Sequence, residues 1–267
     1  MTIAGDSGSG DGAWTAVGPE DAPAIVFLHG TRTSRGQWTP QLRRLSRRYR
    51  CVAVDLPGHG ARAGEAFSMA SAAGVVAGAI EAAVPAGRAI VVGLSLGGYV
   101  AIETAERFPD RVRGLVLAGC SAEPAGVTAK LMRALAWTLE RVPAGVLRPV
   151  NTAFFRARYP RAVADPIVSG GFWFAGGAAA LRALVGHRFL DRLGRLWTPV
   201  LIVNGALDPV FGPGGKLWAA ACRSGRVVVS RGAGHLSSLD RPAAFAAQVD
   251  AFARAVAAVD EASAERG

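Results

Sequence analysis

Lysine is almost missing from this chain: of its 30 basic residues only Lys130 and Lys216 are lysines, and the rest are arginines. With abundant alanine beside it, that skew reads as the codon bias of a G+C-rich genome. It weakens the formal charge of +10 as a sign of nucleic-acid binding, and no RNA- or DNA-binding motif accompanies the charge. Cysteine is scarce too. Cys51, Cys120 and Cys222 are an odd number at wide, unpatterned spacing, which suits a reducing compartment and a cytoplasmic location. They offer neither a disulfide framework nor a metal site. No stretch approaches the ~20 uninterrupted apolar residues of a membrane span. Residues 1–12 are polar and rich in Gly, Ser and Asp, without the basic start or apolar centre of an export signal, and are expected to form a loose tail.

What is present is core-forming material in regular alternation. The 267 residues are 51% hydrophobic, enough for one large α/β domain or one domain with an insertion. Apolar runs at Ala24–Leu28, Cys51–Val54, Ala89–Val92, Val112–Leu117, Val200–Val203 and Arg226–Val229 read as strands buried on both faces of a parallel sheet. Trp14–Val17 reads as an antiparallel edge strand. Between the runs lie helical patterns. In Ser68–Val84 the residues Met69, Ala73, Val76, Ala77, Ile80 and Val84 share one face, with Ser68 as N-cap. Asp240 with Pro242 is expected to open the last helix. Strands alternating with helices imply right-handed crossovers in a doubly wound sheet.

Residues 121–197 break the alternation, separating two strands by far more than an ordinary connection. They hold helical patches, prolines and many aromatics, and are expected to form a helical cap over the carboxyl edge of the sheet. The expected division is therefore a core of 13–120 and 198–258, a cap of 121–197 and a C-terminal tail of 259–267.

The strand at Ala89 ends in Gly93-Leu94-Ser95-Leu96-Gly97, a Gly-x-Ser-x-Gly turn before a helix that Pro109 stops. Such a turn lifts a serine clear of the backbone and aims the new helix's N–H groups at whatever the serine attacks. A serine hydroxyl needs a base at neutral pH. Of the four histidines, His235 follows the last strand and would reach the same sheet edge; His29 and His59 sit in turns, and His187 in the cap. Asp208, just beyond the preceding strand and before Pro209, is the expected acid, with Glu123 as an alternative. Leu96 N–H and Thr31 N–H are the expected oxyanion donors.

Together, His29-Gly30, Asp55-Leu-Pro-Gly-His-Gly60, Gly93 to Gly98, Arg111 to Leu117, Gly205 to Asp208 and Gly232-Ala-Gly-His235 resemble the α/β-hydrolase superfamily. The resemblance runs from about residue 24 to 257, excluding the cap. It implies the α/β-hydrolase fold, with Ser95, Asp208 and His235 as a triad in the superfamily's chain order. Carboxylesterases, enol-lactonases and cofactor-free perhydrolases carry similar serine elements. Serine at 95 argues against the epoxide hydrolases and haloalkane dehalogenases, whose nucleophile is aspartate. Ester cleavage through an acyl-enzyme, without metal or organic cofactor, is the expected activity. A triad-dependent lyase or C–C bond hydrolase, and a non-catalytic receptor on the same scaffold, are the alternatives.

Substrate choice should lie with the cap. Its eleven basic and four acidic residues give it +7 of the chain's +10. That clustering is expected to be a solvated face, with an anionic substrate or partner as the alternative. Arg32, beside the expected oxyanion donor, either grips a substrate carboxylate or points to solvent. Trp137, Phe172 and Trp173 either line an acyl pocket or fill the cap's own core, and Cys120 is placed to line the pocket.

Overall fold

Every apolar run read as a strand is one. The computed structural model describes residues 12–264; apart from Gly12, the tail expected over 1–12 lies outside them. Its strands are β1 (Trp14–Val17), β2 (Ala24–Leu28), β3 (Arg50–Val54), β4 (Ala89–Leu94), β5 (Val112–Ala118), β6 (Val200–Gly205) and β7 (Gly225–Ser230). They form one sheet in the order β1-β3-β2-β4-β5-β6-β7. β1 pairs antiparallel with β3 at the edge, and the other pairings are parallel.

The near-continuous hydrophobicity of β2 to β6 follows from packing on both faces. On one face Val26, Leu28, Val91 and Leu115 meet α2 (Met69–Ala83) and α3 (Leu96–Arg107). On the other, Phe27, Val92 and Val116 meet α1 (Thr39–Leu45) and the long C-terminal helix Pro242–Ala264. A fully buried side chain of this kind contributes ~1.5–3 kcal/mol from water exclusion, so a charge on any central strand would be costly. Ser68 caps α2 as the sequence implies: its Oγ accepts the Ser71 N–H at 3.0 Å, and Ser71 Oγ accepts the Ser68 N–H at 3.0 Å.

Five helices fill the interval between β5 and β6: α4 (Gly126–Arg141), α5 (Ala144–Arg158), α6 (Arg161–Ser169), α7 (Phe174–Leu184) and α8 (Phe189–Leu193). α4 turns Ala129, Met132, Ala136 and Leu139 inward, a helical stripe. α8 is tied to α3 by Arg192, whose guanidinium bonds Glu103 at 2.5 Å and also pairs with Glu106. The chain then closes with α9 (Gly215–Ala221), α10 (Ser237–Asp240) and α11 (Pro242–Ala264).

Two boundary expectations need correction. α11 runs through Ala264, so residues 259–264 continue a helix rather than form a tail. Asp240 ends α10 instead of capping α11, because its carboxylate is held elsewhere: it accepts from Gly234 N–H at 2.8 Å and from Tyr159 Oη–H at 2.9 Å. Among the described residues no single helix is long and apolar enough to cross a membrane.

Candidate active site

Ser95 stands between β4 and α3 with φ 54° and ψ −116°, one of two non-glycine residues with positive φ among those described. Such a conformation costs roughly 1–3 kcal/mol and persists only where its surroundings enforce it. The enforcement is visible. Ser95 N–H donates to Ala118 O at 2.8 Å, and a Cβ on Gly97 would stand 2.2 Å from Leu28 O. Only glycine lets the start of α3 press so closely on the end of β2.

The loops beyond β2, β6 and β7 meet at this same carboxyl edge, where open α/β sheets place ligands. His235 Nδ1 lies 3.0 Å from Asp208 Oδ2. Asp208 Oδ1 accepts the N–H groups of Val210 and Phe211, each at 3.0 Å. Burial pushes the Asp208 carboxyl upward, but the bonds from His235 and from these two amides outweigh it and hold the group below the usual carboxylate range. Ser95, Leu96, Thr31, Asp208 and His235 all line one cavity of about 470 Å³. The fallback acid Glu123 is engaged elsewhere. Its two oxygens accept Phe189 N–H at 3.2 Å and Leu190 N–H at 2.7 Å, so it caps α8.

The β2–α1 loop is braced from beneath. Gln37 Oε1 accepts from Gly30 N–H at 3.1 Å and from Thr33 Oγ1 at 2.7 Å. His29 is structural, as its turn suggests: Nδ1 bonds Gly30 O at 2.9 Å and Nε2 accepts Leu56 N–H at 3.0 Å. Burial pushes its pKa down to about 4. His59, its ring 5.0 Å from that of His29, is lowered to about 3, first by burial and then by His29. His187 lies 3.2 Å from an Arg192 nitrogen, outside the cavity.

Arg32 lines the cavity; its own φ is 61°, and its carbonyl accepts Trp173 N–H at 2.9 Å. The other expected substrate contacts are not among the lining residues. Cys120 is fully buried against Gly98, with its thiol pushed up by burial. Phe172 stacks between Phe155 and Phe174 inside the inserted helices. The Trp173 indole donates to Gly170 O at 3.0 Å and faces a separate cavity beside Arg35 and Asp55. Trp137 is 54% exposed, with the Arg141 guanidinium 5.9 Å from its ring centre.

Sequence reasoning missed the lining that is there. Thr128, Leu131, Met132 and Leu135 of α4 form one wall, at the i, i+3, i+4, i+7 spacing of a helical face. Phe155, Leu181 and Phe211 complete the apolar surface, and Phe211 stacks on His235 with ring centres 4.9 Å apart.

Residues 25–248 match the alpha/beta hydrolase family, and the chain belongs to that family. It is 30% identical over 256 residues, 86% of its length and 92% of the relative's, to the pimeloyl-[acyl-carrier protein] methyl ester esterase of Neisseria meningitidis serogroup B / serotype 15. The enzyme of the same name from Nitrosomonas europaea is 42% identical over 98 residues, 36% of this chain and 37% of that protein. The structure superposes on a thermophilic esterase from Thermogutta terrifontis with a TM-score of 0.76 at 23% identity, covering 94% of this chain and 97% of the other.

Proposed function

We propose that the protein hydrolyses a small-molecule carboxylic ester through an acyl-enzyme on Ser95. His235 takes the Ser95 proton as Oγ bonds to the acyl carbon, and Asp208 holds the imidazole and stabilises its cation. The N–H groups of Leu96 and Thr31 receive the oxyanion. Collapse breaks the C–O bond, and the alcohol leaves with the proton from His235. Water, deprotonated by the same imidazole, then releases the acid. One ester and one water yield one acid and one alcohol, with no net redox change.

One observation carries this reading: a serine in a strained strand-to-helix turn shares a cavity with a histidine whose Nδ1 is 3.0 Å from a buried carboxylate. The apolar wall of Met132, Phe155 and Leu181 fits a hydrocarbon acyl part, and the relatives' names point to a methyl ester. The inserted helices act as the cap that selects this acyl group. The three free cysteines agree with a cytoplasmic setting. Ser95→Ala is expected to abolish both fluorophosphonate labelling and turnover of short p-nitrophenyl esters. Labelling that persists in the variant would remove Ser95 as nucleophile, and a folded wild type that neither labels nor turns over would favour a receptor.

A further inference from the structure

The cavity contains an unanswered positive charge. Arg32 is half-buried there, and among the described residues its guanidinium makes no hydrogen bond, ion pair or ring contact. The buried Arg192, by contrast, has Glu103 and Glu106, and Arg35 has Asp55. Asp208, the one carboxylate lining the cavity, is already committed to His235 and two backbone amides. Among the described residues no other charged side chain except His235 lines the cavity, and Met132, Leu181 and Leu184 give it an apolar wall.

Withdrawing a guanidinium from water without a counter-ion is costly, and here burial already lowers the Arg32 pKa. The backbone adds to the cost, since Arg32 holds φ 61° where glycine or asparagine would sit with less strain. Two unfavourable features on one residue, inside a ligand-sized cavity, mark a site where strain serves binding. A planar fork of donors beside apolar walls matches a carboxylate at the end of a hydrocarbon chain.

We propose that Arg32 binds a free carboxylate on the substrate, so that the ester cleaved is a half-ester of a dicarboxylic acid. This rests on the ester-hydrolase reading above. Arg32 holds one acid end while Ser95 attacks the esterified end, and the chain between them lies on the Met132–Leu181 wall. The product is the free dicarboxylate.

The test compares kcat/KM for monomethyl and dimethyl esters of glutaric, adipic and pimelic acids, in wild type, Arg32→Met and Arg32→Lys. Wild type is expected to favour the half-ester at least tenfold. Arg32→Met should erase the preference, chiefly through KM, and Arg32→Lys should restore part of it. Each variant's dimethyl-ester rate is the internal reference for damage to the loop. A wild type that prefers the diester, or a preference unchanged in Arg32→Met, overturns the assignment while leaving ester hydrolysis standing. Absence of turnover on every ester by folded wild type overturns both readings. Calorimetric binding of the monomethyl esters to Ser95→Ala and to Ser95→Ala/Arg32→Met gives a readout free of catalysis; equal affinity in the two also refutes the role.

Discussion

Tyr159 and Asp240 join the inserted helices to the histidine loop. The phenol donates to Asp240 Oδ1 at 2.9 Å, while Asp240 Oδ2 receives the N–H of Gly234 at 2.8 Å, the residue directly before His235. Arg158 reaches the same carboxylate at 2.9 Å. The position of the imidazole is thus coupled to α5, although α5 belongs to a different part of the chain.

Tyr159→Phe should lower kcat several-fold with little change in KM, because it loosens the histidine loop without touching the acyl wall. Asp240→Ala should cost more, since it also leaves the Gly234 N–H unpaired. Steady-state kinetics on one ester, with a thermal melt to confirm folding, separates the two. A KM effect without a kcat effect would place Tyr159 in binding instead.

Gly177 in α7 touches the proposed oxyanion loop. A Cβ there would stand 3.0 Å from Thr31 Cγ2 and 3.2 Å from Arg32 N. Gly177→Ala is expected to displace that loop and lower kcat by roughly tenfold, within the range of weakening one oxyanion donor. Stability should change by less than about 2 kcal/mol. Unaltered kcat would show that the loop tolerates the shift.

Asp208→Asn and Glu123→Gln form a contrasting pair. The first removes the carboxylate that orients His235 and should reduce kcat by about four orders of magnitude. The second weakens the cap of α8 and should reduce stability by about 1 kcal/mol while leaving turnover near wild type. A reversal of these outcomes would exchange the two acids' roles.

His29 and His59 make stability dependent on acid. Their folded pKa values, about 4 and about 3, lie below the ordinary value of ~6.5, so the unfolded chain binds more protons. Their contribution is complete above pH ~6.5 and is lost progressively as pH falls through that value toward about 4. For His29 it amounts to at most roughly 3 kcal/mol. Urea unfolding at pH 7.5, 6, 5 and 4.5 should show stability falling with acid, with a shallower slope in His29→Gln. Equal slopes would mean that His29 does not carry the linkage.

The sheet was legible because strands buried on both faces must be nearly continuously apolar, and β2 to β6 are, apart from Arg50, Arg113 and Asn204 toward their ends. The elbow was legible from two glycines around Ser95. The apolar wall of the cavity was harder to find. Its residues are scattered over α4, α5, α7 and the loop holding Phe211, and nothing local distinguishes Met132, which is buried and lines the cavity, from the exposed Trp137. Both lie on the same helix, and only the partner helix decides which side is inside. Aromatic content therefore pointed to Phe172 and Trp173, which pack elsewhere. Asp240 misled for a related reason. Asp before Arg-Pro looks like a cap, yet a tertiary partner, Gly234, claims the carboxylate.

The bond from Trp173 N–H to Arg32 O has a consequence for how this scaffold can be rebuilt. The residue beside the proposed oxyanion donor takes its conformation partly from a segment lying about 140 positions later in the chain. Grafting a relative's inserted helices onto this core would exchange more than a specificity pocket. Unless the graft brought a backbone donor to the place of Trp173 and a residue without a side chain to that of Gly177, the recipient would turn over every ester more slowly, its old substrates included. Substrate range and catalytic competence are inherited together here, and a designer would have to transplant the seam along with the lid.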